Sequence, residues 1–197
     1  MNPSETRNQE FDRDTRLLLE SLGTRHSSTL NDNMRLVFDT TQRMSTQLRS
    51  DNPEPLENCA SELLNSLGPE HQEPERWLSD AYRVILSDID GTRGWAAYLT
   101  LVITMELMVE VAQRFADQGG TINSSKLQGM LINRAHEYIE ANLKPIILEL
   151  GGWSDIIDYN RHITKSKESK LGATGRIRCN FRILAILGVC CAIFWRL

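Results

Sequence analysis

Four histidines and four cysteines are the residues of this 197-residue chain whose types suit metal binding or nucleophilic chemistry. His26, His71, His136 and His162 are scattered and make no ligand spacing with Cys59, Cys179, Cys190 or Cys191. His136-Glu137 lacks the second histidine of a zinc-binding helix. No Gly-x-Gly-x-x-Gly, phosphate loop or Gly-x-Ser-x-Gly occurs. Carboxylates are plentiful, and solvated helix faces account for them. Asn123-Ser124-Ser125 matches a glycosylation acceptor but reads as a plain loop. The residues therefore predict no enzyme, no cofactor and no metal site. Three of the cysteines fall in the last 19 residues, which is no disulfide framework, and the first ten residues lack the apolar run of a secretion signal. A reducing compartment is expected.

With no chemistry to position, the elements themselves carry the information. Residues 95–115 contain no Gly or Pro, and the first eleven of them carry no charge. Such a stretch predicts a helix buried on most of its faces. It is also long enough for a membrane span, which needs roughly 20 apolar residues. Glu106, Glu110 and Arg114 recur at i, i+4, i+8 and make one polar stripe, which favours a core helix of a soluble bundle.

Around it the spacing is helical throughout. Phe11, Leu18, Leu19 and Leu22 share one face, with Gly23 placed as a C-cap. Leu30, Met34, Val37, Met44 and Leu48 form a second amphipathic run, ended by a linker at residues 50–55. A short helix is expected over 56–67 and another over 75–88, the latter with Trp77, Ala81, Val84 and Ile85 inward. Asp90-Gly91 makes a turn into the central helix. Residues 126–143 repeat apolar positions, and Pro145 kinks or restarts that helix. A short last helix covers 153–159. No strand signal appears, so the fold class is all-α: a bundle of helices around a buried central one.

Hydrophobic residues make up 41% and charged residues 24%, enough for one domain with a core. The division expected is a disordered start at 1–9, a bundle over 10–160, a basic flexible linker over 161–182 and an apolar C-terminal anchor over 183–197. Net charge is −4, unevenly placed. From residue 161 onward there are eight Lys/Arg against one acid, a local +7, which leaves −11 on residues 1–160. A basic tail behind an acidic body is unlike a nucleic-acid binder and suits a domain whose tail meets a membrane. Residues 183–195 carry no charge, and Ile183, Leu187, Val189, Ile193 and Trp195 would sit in the bilayer, with Arg182 and Arg196 snorkelling. A span of that length covers roughly 20–25 Å of a ~30 Å core. The other reading is an apolar helix that folds back onto the domain.

Two stretches resemble one family. Tyr138-Ile-Glu-Ala-Asn-Leu-Lys-Pro-Ile-Ile-Leu-Glu-Leu-Gly-Gly-Trp-Ser-Asp-Ile-Ile-Asp-Tyr159 is similar to the second homology region of the Bcl-2 family of apoptosis regulators, with Gly151, Gly152 and Trp153, then Ile156 and Ile157, as its specific part. With Tyr, Leu and Pro upstream it most resembles the pro-survival members. Val84-Ile-Leu-Ser-Asp-Ile-Asp-Gly-Thr-Arg-Gly-Trp-Ala-Ala-Tyr-Leu99 is similar to the first homology region. Matched on Gly94, the arginine that the family uses to pair with a ligand aspartate becomes Trp95. Either Arg93 takes that role or the register slips by two. Leu30, Met34, Val37 and Asp39 follow the third homology region, with Phe38 where a small residue is usual and Thr41 at a normally apolar position. The resemblance covers nearly the whole chain.

What it implies is a bundle of about eight helices with a surface groove. The groove residues would be Met44, Leu48, Ala81, Val84, Ile85, Asp88, Arg93, Gly94, Trp95, Ala97 and Leu99. The partners would be amphipathic death helices of pro-apoptotic relatives, an intracellular membrane through the tail, and a homo- or hetero-dimer. The location would be the cytoplasmic face of the mitochondrial outer membrane or the endoplasmic reticulum, with a soluble cytosolic pool. The expected role is pro-survival sequestration of death helices. The alternatives are a pore-forming effector that permeabilises the mitochondrial outer membrane, and a tail-anchored scaffold.

Overall fold

In the computed structural model, which describes residues 3–68 and 71–170, all regular structure is helical. The order is α1 (Pro3–Thr24), α2 (Asp32–Asp51), α3 (Pro53–Leu67), α4 (Pro74–Ser87), α5 (Trp95–Asp117), α6 (Ser124–Tyr138), α7 (Lys144–Leu150) and α8 (Asp155–Lys170). A single 3-10 turn, Gly91–Arg93, leads into α5, and a π segment, Ile139–Leu143, joins α6 to α7.

Helix α5 is the axis. Tyr98, Leu101, Val102, Met108 and Val111 are fully buried, and Leu107 and Phe115 nearly so. It is the one described helix long and apolar enough to cross a membrane, yet 78% of its most apolar window is buried inside the bundle. Helices α2, α3, α4 and α6 pack along it, and α1 closes over α2 and α6. Its polar groups are satisfied locally: Thr100 and Thr104 hydroxyls donate to the carbonyls of Ala96 and Thr100, both at 2.8 Å. The Tyr82 hydroxyl donates to Leu101 O at 3.2 Å, and burial pushes its pKa up.

Local chemistry explains the boundaries. Asn31 caps α2 by accepting the Met34 N–H at 2.9 Å, and Asn123 caps α6 by accepting the Lys126 N–H at 3.0 Å. The glycosylation-like triplet is thus a helix start. Prolines stand in the first turn of α3, α4 and α7, where no amide hydrogen is needed. Pro145 also explains the π segment. It cannot donate to the preceding turn, and the Lys144 N–H reaches back to Ile139 O instead.

Several expected boundaries move. Residues 3–9, expected disordered, are the first turns of α1, and Arg7 donates to Leu148 O at 3.3 Å. Gly23 is no C-cap: it lies inside α1, beside the Gln128 side chain of α6. The linker expected at 50–55 shrinks to Asn52, because Pro53 starts α3 directly. Residues 161–170, expected as flexible linker, continue α8, since neither Gly nor Pro interrupts them. Residues 171–182 and the anchor residues Ile183, Leu187, Val189, Ile193 and Trp195 lie outside the described part.

Two outcomes test this packing. Leu101→Ala should cost about 2–5 kcal/mol in urea unfolding, whereas Val109→Ala, on the exposed side of α5, should cost less than about 1 kcal/mol. The second concerns acid. Glu75 is buried at the head of α4, where it accepts the Asn123 N–H at 2.7 Å and faces Lys126 at 3.7 Å. The Asn123 hydrogen bond is the main cause that lowers its pKa below the usual 4.5. The unfolded chain then binds the proton more readily. The stabilisation is complete above the usual glutamate range and is lost as pH falls through the lowered folded value. Glu75→Gln should therefore flatten the loss of stability below about pH 4, read from thermal melts between pH 3 and pH 6.

Candidate functional site

The segment with the most specific sequence signal, Gly151-Gly152-Trp153, is a turn between α7 and α8. Both glycines have positive φ, 114° and 90°. The Gly152 N–H returns to Ile147 O at 2.8 Å and closes α7. That turn drives Trp153 inward until it is 5% exposed. Its ring stacks on Phe11 at 5.5 Å between centroids, meets Tyr98 edge-on at 5.0 Å and lies 5.8 Å from Trp95. Its indole N–H donates to the Thr15 hydroxyl at 3.1 Å, and that hydroxyl donates to Phe11 O at 2.7 Å. One aromatic cluster therefore ties α1, α5 and the start of α8 together.

Trp95 is the other half of the junction. It opens α5, is 2% exposed, and donates its indole N–H to Asp155 Oδ2 at 2.8 Å. Asp155 lies in the first turn of α8, where a carboxylate also favours the helix dipole. Ahead of it Gly94 has φ 54° and ψ −113°, a conformation that side chains rarely adopt. An added methyl there would stand 3.3 Å from Ile146 of α7. The Asn33 side chain donates to Ser154 Oγ at 2.9 Å and fastens α2 to the same turn.

Arg93 stays outside. Its side chain is about one-third exposed, and its guanidinium pairs with Asp90 at 3.4 Å. Hydrogen bonds from the Thr92 hydroxyl and amide, the hydroxyl first, hold the Asp90 carboxyl below its usual range. Nearby, the Tyr138 hydroxyl donates to Ile89 O at 2.8 Å, with its pKa pushed up to about 12 by burial and by the charge of Asp90. Of the two candidates for a ligand-facing group, Arg93 reaches solvent. Trp95 does not, and its donor is already used.

The expected groove residues fall into two sets. Ala81, Ile85, Gly94, Trp95, Ala97 and Leu99 are buried, and Met44 is 7% exposed. Leu48 and Val84 are partly covered, and Asp88 and Arg93 are exposed. Most of these side chains therefore belong to the buried core. Of the third-region residues, Leu30, Met34 and Val37 are buried and Asp39 is exposed. Phe38 and Thr41 are buried too, and the Thr41 hydroxyl lies 3.5 Å from the Tyr98 hydroxyl, which gives a polar residue a partner at that position. Ile156 is fully buried and Ile157 partly.

The polar stripe on α5 finds partners that sequence spacing did not name. Arg49 of α2 pairs with Glu106 at 3.4 Å and with Glu110. Arg114 pairs with Glu110 at 2.6 Å and holds Glu57 of α3 through two contacts of 2.6 Å. Ser45 donates to Glu106 at 3.3 Å. A charge seam with alternating signs thus runs from α2 across α5 to α3. The hydrogen bond to Glu57 is the main cause that raises the Arg114 pKa. Beside the seam a polar hollow is lined by Ser61, Leu64, Asn65, Arg114, Asp117 and Gln118. Among the described residues no group of three or more His, Cys, Asp or Glu is arranged to hold a metal ion.

No family model, curated protein or solved structure matches the chain.

The junction makes a specific expectation. A hydrogen bond to a charged acceptor contributes about 1.5–3 kcal/mol. A double-mutant cycle of Trp95→Phe with Asp155→Ala should return a coupling of that size in chemical denaturation. A cycle of Trp95→Phe with the exposed Asp158→Ala should return nearly none.

Proposed function

We propose that this chain is a pro-survival regulator of the Bcl-2 type, which sequesters amphipathic death helices of pro-apoptotic relatives at an intracellular membrane and performs no catalysis. The observation that carries the reading is the Gly151-Gly152-Trp153 turn, whose tryptophan is seated against the first and central helices of an all-helical bundle. The resemblance expects that turn after a long helix and before a short one, and it stands here between α7 and α8. The acidic body, the apolar central helix and the charge-free run near the C-terminus support it as well. Death-helix ligands would present apolar residues at i, i+3 or i+4, and i+7 to a groove. Arg93, exposed at the entry of α5, is the residue assigned to pair with a ligand aspartate, exchanging Asp90 for it.

Ala81, Ile85 and Leu99 are buried, so a ligand helix would have to displace whatever covers them. Binding on this reading includes an opening step, and association is slower than for a preformed groove.

The second reading, a pore-forming effector, is favoured by one observation. Helix α5 has 23 residues with a mean hydropathy of 1.5 in its apolar window, which suits a membrane once the bundle opens. Mitochondrial or reticulum residence belongs to both readings, through the apolar tail.

Calorimetric titration of the full chain, held in lipid nanodiscs, with a panel of death-helix peptides decides between them. Each peptide is used with and without its aspartate. Tight binding is expected, weakened when the aspartate is removed, and Arg93→Ala should cost about 2 kcal/mol, roughly 30-fold in affinity. Failure to bind any peptide would sink the sequestration reading. Release of a trapped dye from liposomes by the purified chain would put the effector reading first.

A further inference from the structure

We infer that the C-terminal half of α8, residues 161–170, is a landing surface for the headgroups of anionic lipids. The inference goes beyond helix binding and does not depend on it. Arg161, Lys165, Lys167 and Lys170 stand there against Glu168 alone, a local +3. Arg176, Arg178 and Arg182 follow before the charge-free run begins. Residues 1–160 carry −11, so the body is repelled from an anionic bilayer, and the positive segment is what can bring it there.

The structure adds that this segment is helical and continuous with the docked part of α8. The helix changes charge sign along its length. Ile156 is fully buried and Ile157, Tyr159 and Ile163 pack partly on the core, whereas Arg161, His162 and Thr164 are exposed. Asp155 and Asp158 mark the acidic end, where Asp155 is held by Trp95. Arg161 pairs with exposed Asp158 at 2.7 Å, an interaction that contributes little in water and is readily exchanged. Lys165, Lys167 and Lys170 follow Arg161 in the same helix, a density of positive charge that suits a layer of lipid phosphates, and the charge-free run beyond them favours a bilayer over a nucleic acid.

The test is co-flotation of the full chain with two kinds of vesicle, phosphatidylcholine alone and phosphatidylcholine with phosphatidylserine, at low and at raised salt. The comparison variant is Arg161→Gln/Lys165→Gln/Lys167→Gln/Lys170→Gln, its helix content checked by circular dichroism. The apolar run is indifferent to headgroup charge, so preference for the serine lipid isolates the basic helix. The wild-type chain should prefer the anionic vesicles, and salt should erode that preference. Each basic residue near an anionic surface contributes about 1 kcal/mol, so the variant should lose about 100-fold or more of the preference and keep its binding to phosphatidylcholine. Equal binding to both vesicles, or a preference that survives in the variant, overturns the inference. So does loss of binding to single-stranded RNA in the variant with vesicle binding unchanged, which would make this a nucleic-acid surface. Titration with death helices is a separate readout, so failure of either proposal is distinguishable from failure of the other.

Discussion

The structure depends on hiding one helix. Helix α5 is apolar on nearly every side, and that surface is costly to expose to water. Burial contributes about 25 cal/mol per Å² of apolar surface, and no single amphipathic partner covers a helix all round. Helices α2, α3, α4 and α6 must all turn an apolar stripe toward it, and the spacing of Met34, Val37, Leu56, Leu63, Leu78, Ile85, Leu127 and Leu131 supplies those stripes. The exception is informative. Where α5 does reach toward water, at Glu106, Glu110 and Arg114, it meets Arg49 and Glu57 in register. Such partly exposed pairs add modest stability. Their larger effect is to fix rotation, since any other rotation of α5 would bury an unpaired charge.

The same burial sets what happens at the other end of α5. Its first residue is a tryptophan, large, apolar and carrying one donor that must be satisfied when buried. The answer is Asp155, on a different helix. Trp153 has the same need two residues before, and Thr15 meets it. Two indole donors are thereby exchanged for two long-range constraints, one on α8 and one on α1. The glycines act upstream of this. Gly94 takes the backbone conformation that lets α5 begin tight against Ile146, and Gly151 and Gly152 reverse the chain so that Trp153 enters the core. A seam of charge locks one end of the central helix, and a cluster of rings locks the other.

Much of this was legible in the sequence, for physical reasons. Apolar spacing near 3.6 residues is a local property, so the helices and the buried axis could be read from Met34, Val37, Met44 and their counterparts. The polar stripe on α5 was legible as well, because i, i+4, i+8 spacing is geometry. Its partners were not, since Arg49 and Glu57 lie 57 or more residues away from the groups they meet. Chain ends and linkers were misread where composition was taken for conformation. A polar, charged opening can still be helical when Pro3 starts it and Arg7 finds Leu148 O, and prolines at 53 and 55 begin a helix as readily as they end one. The burial of Trp95 had no local signal either, since its acceptor Asp155 lies 60 residues away on another helix.

The choice between Arg93 and Trp95 bears on how a helix-binding role would work. If Trp95 had faced a groove, apolar packing alone could have served recognition, and the ligand aspartate would be dispensable. With Trp95 in the core, the cation left at the entry of α5 is Arg93, already paired with Asp90 in a local contact that water screens. An aspartate brought in on an apolar helix would replace that contact with one shielded from solvent, which is the stronger arrangement. Burial would add a second condition. Ala97 and Leu99 are 2% and 3% exposed, so a ligand helix could reach them only by displacing apolar surface that the fold hides. A ligand must return at least as much apolar burial as the opening removes. In such a role affinity and stability would be coupled through the same side chains, and a partner that buried little surface could not displace them however well its charge matched.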